Sequence, residues 1–280
     1  MSQPPSTSTP YTSYQGFPEP GISLPPAPPL PNLPEGAPPR TRIKICGLTR
    51  EQDVEAAVAA GADAVGFVLY PQSPRYVTPE RAAALAALLP PFVTPVLLFV
   101  NADAAAVAAA TAHIPQAVLQ FHGDETPEQC LAAADGGRRA FLRAARIPLG
   151  ADAAAFDLVN YAARYFRAQA ILLDAKVDGY GGSGQAFDWS LLPPSVSAHL
   201  VLSGGLTSAN VGDGIFQLRP RCRSLAVDVS SGVEASHGIK DPDKIQRFVA
   251  AVRAADRQHA DISHDLLDDL PVPGDDDRLQ

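Results

Sequence analysis

The sequence predicts an α/β fold: a single (β/α)8 barrel of the TIM-barrel class. A disordered proline-rich N-terminal extension (residues 1–40) precedes the barrel domain (41–256), and an acidic flexible tail (257–280) follows it. Three observations predict this. Short apolar runs alternate eight times with helical segments between Arg42 and Ala254. The runs are apolar on both faces, as parallel strands covered on both sides must be. No G-x-G-x-x-G follows the first run, which weighs against an open dinucleotide-binding sheet.

In chain order, Ile43–Cys46 reads as the first strand, with Thr49 and Gln52 at capping-box spacing for its helix. Ala64–Leu69 is the second strand, and Thr78-Pro79-Glu80 opens a helix with Pro at its first position. Val96–Val100 is the third, followed by a helix over Asp103–His113. Ala117–Phe121 is the fourth, and Thr126-Pro127-Glu128-Gln129 starts its helix. Arg139–Ala144 is the fifth, followed by a helix over 152–166. Ala170–Leu173, Leu200–Leu202 and Leu225–Val229 complete the set, with helices after Thr207-Ser208 and from Asp241-Pro242 to about Ala254.

Residues 1–40 hold thirteen of the 28 prolines, too little apolar surface to offset ordering, so a polyproline-like leader is expected. A net charge of −8 argues against nucleic-acid and anionic-membrane partners. No apolar run approaches the ~20 residues of a membrane span. No secretory h-region is present, and Cys46, Cys130 and Cys222 form no C-x-x-C pair, so a reducing, cytoplasmic setting is expected.

Barrel chemistry sits at strand C-termini. Those tips carry Cys46, Arg75, Asn101, His122 with Asp124, Asp174, Ser203-Gly204-Gly205 and Asp228-Val229-Ser230-Ser231-Gly232. The small turns after strands seven and eight suit an anion, with phosphate favoured. Cys46 is either a small buried hydrophobe or, if cations lower its pKa, a base. Asp174 is either a cap or an acid. His122 lacks a partner at zinc-ligand spacing, which leaves hydrogen bonding or packing. Arg75 is either a surface group or a fork for a carboxylate. The glycines of Gly179–Gly184 suit a lid over Asp174.

These residues resemble the phosphoribosylanthranilate isomerase family from Arg42 to about Arg253. The likeness is carried by Lys44-Ile45-Cys46-Gly47-Leu48-Thr49, Phe67 to Tyr76, Phe99-Val100-Asn101 and Leu119 to Glu125. Leu173-Asp174, Gly181-Gly182-Ser183-Gly184, Phe187-Asp188-Trp189, Ser203 to Leu206 and Asp228 to Glu234 continue it. The resemblance implies an Amadori rearrangement of N-(5-phosphoribosyl)anthranilate in tryptophan biosynthesis, with no metal and no cofactor. It implies Asp174 as general acid and Cys46 as general base. Arg75 would meet the anthranilate carboxylate, with His122 and Asp228 as further substrate contacts. Gly182, Ser183, Gly204, Gly205, Ser230 and Ser231 would hold the phosphate. The expected partner is a small phosphosugar alone, and a monomer is expected.

The chain departs from the family pattern in its leader, and at Phe121, Ala226 and Ser236-His237. A related histidine-pathway sugar isomerase is the rival enzyme reading; Cys46 and the lack of a half-barrel repeat oppose it, while activity on both substrates stays open. An idle phosphate-binding barrel, using its leader to bind partners, is the rival from another class. Loss of Cys46 or Asp174 would mark it, and both are present.

Overall fold

A computed structural model describes residues 40–176 and 188–268. The proline-rich leader and the Gly179–Gly184 segment therefore lie outside the described residues. Eight parallel strands close into a barrel in sequence order: β1 (Arg42–Cys46), β2 (Ala64–Val68), β3 (Thr94–Phe99), β4 (Val118–Phe121), β5 (Phe141–Ile147), β6 (Ala170–Ala175), β7 (Val196–Leu202) and β8 (Cys222–Val229). Closure comes from β1 pairing with β8, Lys44 level with Asp228.

Alternation along the strands sorts the residues into two layers. Ile43, Ile45, Val65, Phe67, Leu97, Leu119, Ile171 and Leu173 join the large core between sheet and helices. Their neighbours form two smaller clusters within the barrel, Cys46, Val68, Leu98 and Val100 in one, Ala144, Leu172 and Val201 in the other. The reactive positions share this inward phase, which is why Lys44, Cys46, His122, Asp174 and Asp228 are buried.

The helix starts follow their caps. In α2 (Pro79–Ala86) Thr78 accepts from the backbone of Arg81, and in α3 (Ala104–His113) Asp103 accepts from Ala106. In α4 (Pro127–Ala133) Thr126 and Gln129 form the reciprocal capping box. The expectation for α1 (Glu51–Ala59) needs correction. Its N-cap is Arg50, and the Thr49 hydroxyl instead donates to Gly238 O at 2.8 Å. A long-range partner has taken the hydroxyl from the local cap.

Two more expectations shift. The helix over 152–166 breaks into a 3₁₀ turn (Gly150–Ala155) and α5 (Leu158–Arg164), because Phe156 is extended and Asp157 caps a fresh start. Between β6 and β7 the described residues hold no α-helix, only a 3₁₀ turn at Trp189–Leu191 capped by Asp188. After β7 comes α6 (Val211–Leu218), and after β8 a small antiparallel hairpin, β9 (Glu234–Ser236) with β10 (Ile239–Lys240). The last helix, α7 (Pro242–Asp268), continues past Ala254, where the sequence predicts its end. No Gly or Pro interrupts the sequence until Pro271, so a packed helix propagates on.

At the other end of the barrel, Asp256 of α7 ties down the start of β1. It accepts from Thr41 N (3.0 Å), Thr41 Oγ1 (2.6 Å) and Arg253 (3.1 Å), with Arg219 against the same carboxylate. Among the described residues no helix is long and apolar enough to cross a membrane.

Candidate active site

The C-terminal ends of β1 and β6 present Cys46 and Asp174, three strands apart through β8 and β7. The thiol sits among charges. Lys44, two residues earlier on the same strand and face, bonds Asp228 Oδ2 at 2.9 Å, both side chains 5% exposed. Gly66 lies level with Cys46 on β2. A Cβ there would come 2.7 Å from the Cys46 Sγ and 3.1 Å from the Lys44 Nζ, so thiol and ammonium fill the space that this glycine leaves.

Burial pushes the Cys46 thiol up, and the Asp228 carboxylate pushes the same way. Lys44 and Lys240 pull it down without cancelling the rise. The expectation that nearby cations lower this thiol is therefore half met: the cations are there, and desolvation outweighs them. For Lys44, burial disfavours the charge, but Asp228 and Cys46 more than offset it and hold its pKa above the usual lysine value.

Asp174 has one clear partner. Its Oδ2 lies 2.8 Å from His122 Nε2, and His122 Nδ1 lies 2.9 Å from the amide nitrogen of Gln120. An amide donor at Nδ1 pairs with an imidazole that carries its proton on Nε2, the nitrogen facing the carboxyl. The structure thus places His122 beside the Asp174 carboxyl. The backbone on either side of His122 is pinned by Arg143, which donates to Phe121 O (2.9 Å), Gly123 O (3.0 Å) and Glu125 (3.0 Å). Glu125 in turn accepts from Gly123 N at 2.9 Å and Asn101 N at 2.7 Å.

Arg75 lies in the loop after β2, and Glu234 holds it in a two-point fork, Nε and Nη2 each 2.7 Å from a carboxylate oxygen. Sequence reasoning offered this arginine to a substrate; in the structure that edge is engaged and Nη1 is the nitrogen left over. Lys240, fully buried in its side chain, bridges Glu234 (2.9 Å) and Ser230 O (3.0 Å). Ser230 donates its hydroxyl to Cys46 O at 3.0 Å. The chain Arg75–Glu234–Lys240–Ser230 therefore ends at the backbone carbonyl of Cys46.

The two small turns also meet. Gly204 and Gly205 both take positive φ (76° and 62°), a conformation that suits glycine. A Cβ on Gly232 would fall 1.9 Å from Leu206 O, so the loops after β7 and β8 press backbone to backbone. Ser231 opens the short turn Ser231–Val233 beside them. Gly182 and Ser183 lie outside the described residues.

Sequence reasoning missed Gln120, Glu234 and Lys240 as site members, and noted Lys44 only as a neighbour. A signal existed for two: Lys44 and Gln120 are polar residues inside apolar strands, in phase with Cys46 and His122. Lys240 gave none, since only the hairpin fold brings it inward.

A closed parallel barrel with a buried thiol and carboxyl at its C-terminal mouth has the build of the barrel enzymes, whose active sites lie at that end. Residues 43–251 match the family model for N-(5'-phosphoribosyl)anthranilate (PRA) isomerase, and the chain belongs to that family. An N-(5'-phosphoribosyl)anthranilate isomerase of Methylibium petroleiphilum is 61% identical over 221 residues, 79% of this chain and 98% of the relative. The phosphoribosyl anthranilate isomerase structure of Thermotoga maritima superposes with a TM-score of 0.66 at 40% identity, covering 76% of this chain and 99% of that one. A further isomerase structure, in complex with reduced 1-(o-carboxyphenylamino)-1-deoxyribulose 5-phosphate, matches at a TM-score of 0.60 and 36% identity, with 76% and 99% covered.

Proposed function

We propose that this chain catalyses the Amadori rearrangement of N-(5-phosphoribosyl)anthranilate to 1-(2-carboxyphenylamino)-1-deoxyribulose 5-phosphate, a step of tryptophan biosynthesis, by general acid–base catalysis. One observation carries the reading: Cys46 and Asp174 are buried at the ends of β1 and β6, each in its own polar network. Asp174 protonates the furanose oxygen. The C1–O bond breaks as the anilino nitrogen forms the C1=N bond of a Schiff base. Cys46 removes the C2 proton, and those electrons shift to give the enolamine. The enolamine then gains a proton at C1 and loses one from the C2 hydroxyl, which yields the ketone with no net proton change.

The remaining groups position the substrate. Arg75 Nη1 meets the anthranilate carboxylate, while Glu234 holds the other edge of the guanidinium. The turns at Gly204-Gly205 and Ser230-Ser231 receive the phosphate through backbone N–H groups, together with Gly182 and Ser183. Asp228 Oδ1, buried without a partner, suits a sugar hydroxyl, since its other oxygen is taken by Lys44. We read the enzyme as a cytoplasmic monomer.

The test is loss of fluorescence from phosphoribosylanthranilate generated in situ. Turnover by the intact chain, abolished in Asp174→Asn, is the expected result. A chain that leaves the fluorescence unchanged would overturn the assignment.

A further inference from the structure

Asp174 has to carry a proton in order to give one up, yet it is hydrogen-bonded to a histidine. Whether it can do so depends on what that histidine is. A neutral imidazole donating from Nε2 occupies only Oδ2 and leaves the second oxygen of the carboxyl for the acid proton. An imidazolium at the same distance would instead hold Asp174 as the carboxylate of an ion pair, and the acid would be lost. The other ring nitrogen therefore decides, and among the described residues Nδ1 has one hydrogen-bonding side chain: the amide of Gln120, 2.9 Å away.

Gln120 is fully buried within the barrel, on the same strand face as His122. Its Nε2 is turned to the imidazole, and its Oε1 is buried with no hydrogen-bond partner. Only one end of the amide reaches Nδ1, so one end stays orphaned in either orientation. Leaving the carbonyl oxygen unpaired is the cheaper choice, because the NH2 end has two donors to satisfy. Arg146 lies level with Asp174 on the neighbouring strand, and Asp124 lies 3.6 Å from Arg146. Neither is a hydrogen-bond partner of Nδ1.

We infer that Gln120 is a positioning residue for the reaction: by donating to Nδ1 it holds His122 as the neutral Nε2–H tautomer, and so keeps Asp174 able to carry the acid proton. Gln120 acts through His122 and touches neither substrate nor reacting atoms. The inference rests on the acid role proposed above for Asp174.

Replacement of one amide by a near-isosteric carboxylate gives the test. Gln120→Glu removes the donor and supplies an acceptor, which invites a proton onto Nδ1. Gln120→Met removes the donor and supplies nothing, and serves as the variant that keeps an apolar, similar-sized core. In the full-length chain, ¹⁵N–¹H correlation spectra of the imidazoles at neutral pH report the tautomer of His122, assigned by its disappearance in His122→Asn. The expected result is a neutral Nε2–H ring in the native chain and a doubly protonated ring in Gln120→Glu, with kcat reduced about 100-fold or more and KM within a few-fold. Gln120→Met should retain more activity than Gln120→Glu. A doubly protonated or Nδ1–H ring in the native chain, or native kcat in Gln120→Glu, would overturn the inference. A separate measurement isolates the underlying reading: if Asp174→Asn keeps native turnover, the acid assignment fails whatever the tautomer of His122.

Discussion

Lys44 Nζ stands 2.9 Å from Asp228 Oδ2, in a pair that is 95% shielded from solvent and on the same strand face as the thiol of Cys46. The pair has two consequences. Removing either partner leaves the other buried and unpaired, at a cost of about 3–5 kcal/mol. The ammonium is also the largest influence that lowers the thiol, while the carboxylate works against it.

That arrangement sets the pH dependence. A thiol acts as a base only as the thiolate, and burial holds the Cys46 thiol above its usual range, so only a minority is ionised near neutrality. The expected profile of kcat/KM rises with pH and is still rising at about pH 8.5, where an ordinary thiol is half ionised. Lys44→Met should move that rise to higher pH. Measurement of kcat/KM across this range checks both, and a plateau reached below neutrality would contradict the assignment.

The acid–base pair itself gives the largest effects. Cys46→Ala and Asp174→Asn should each lower kcat by about 10²–10⁴-fold with little change in melting temperature, the usual scale for one positioned proton-transfer group. Near-native turnover in Cys46→Ala would remove the thiol from the mechanism.

Glu234 should act through Arg75. Glu234→Gln keeps the shape but loses the charge that anchors the guanidinium fork, so KM for the anthranilate substrate should rise several-fold, more than kcat falls. A stability effect accompanies it. Burial pushes the Glu234 carboxyl up, but bonds from Arg75 and Lys240 outweigh this and hold it below its usual value. A depressed carboxylate stabilises the fold above about pH 4.3, and the contribution fades as pH falls through its lower folded value. Urea midpoints of native and variant should therefore differ at neutral pH and converge in acid.

Gly232 sits at the junction of the turns after β7 and β8, proposed above to receive the phosphate. Its Cβ would lie 1.9 Å from Leu206 O, a backbone atom that cannot swing aside. Gly232→Ala should push the turns apart and raise KM at least tenfold, with a smaller loss in kcat. Unchanged KM would separate these turns from phosphate binding.

A chain that starts at Arg40 retains the clasp of Thr41 on Asp256 and the Arg40–Asp63 ion pair at 2.8 Å. Its kcat, KM and melting temperature should match those of the full chain. A fall of several degrees would assign a stabilising role to the proline-rich leader. Asp256→Ala, by contrast, should cost about 3 kcal/mol, because the buried Thr41 amide and two arginines lose their acceptor.

The alternation of apolar runs and capped helices pointed to a parallel sheet covered on both faces, and eight such units with no G-x-G-x-x-G after the first favoured the closed barrel over an open sheet. Strand position alone also placed Cys46, Asp174, Asp228 and the two small turns at the mouth, since strand C-termini share one end of the barrel. Local chemistry decided the starts of α2, α3 and α4, where Thr78, Asp103 and Thr126 bond within their own first turn. It failed at Thr49, whose hydroxyl found Gly238 across 189 positions of chain. The partners of the reactive groups were decided by tertiary structure for the same reason. His122 and Asp174 lie 52 positions apart, Arg75 and Glu234 lie 159 apart, and Lys44 and Asp228 lie 184 apart. Sequence order carries which side chains can ionise or hydrogen-bond. Which of them are desolvated together, and so which proton sits where, is a property of distance and burial that only the closed barrel creates.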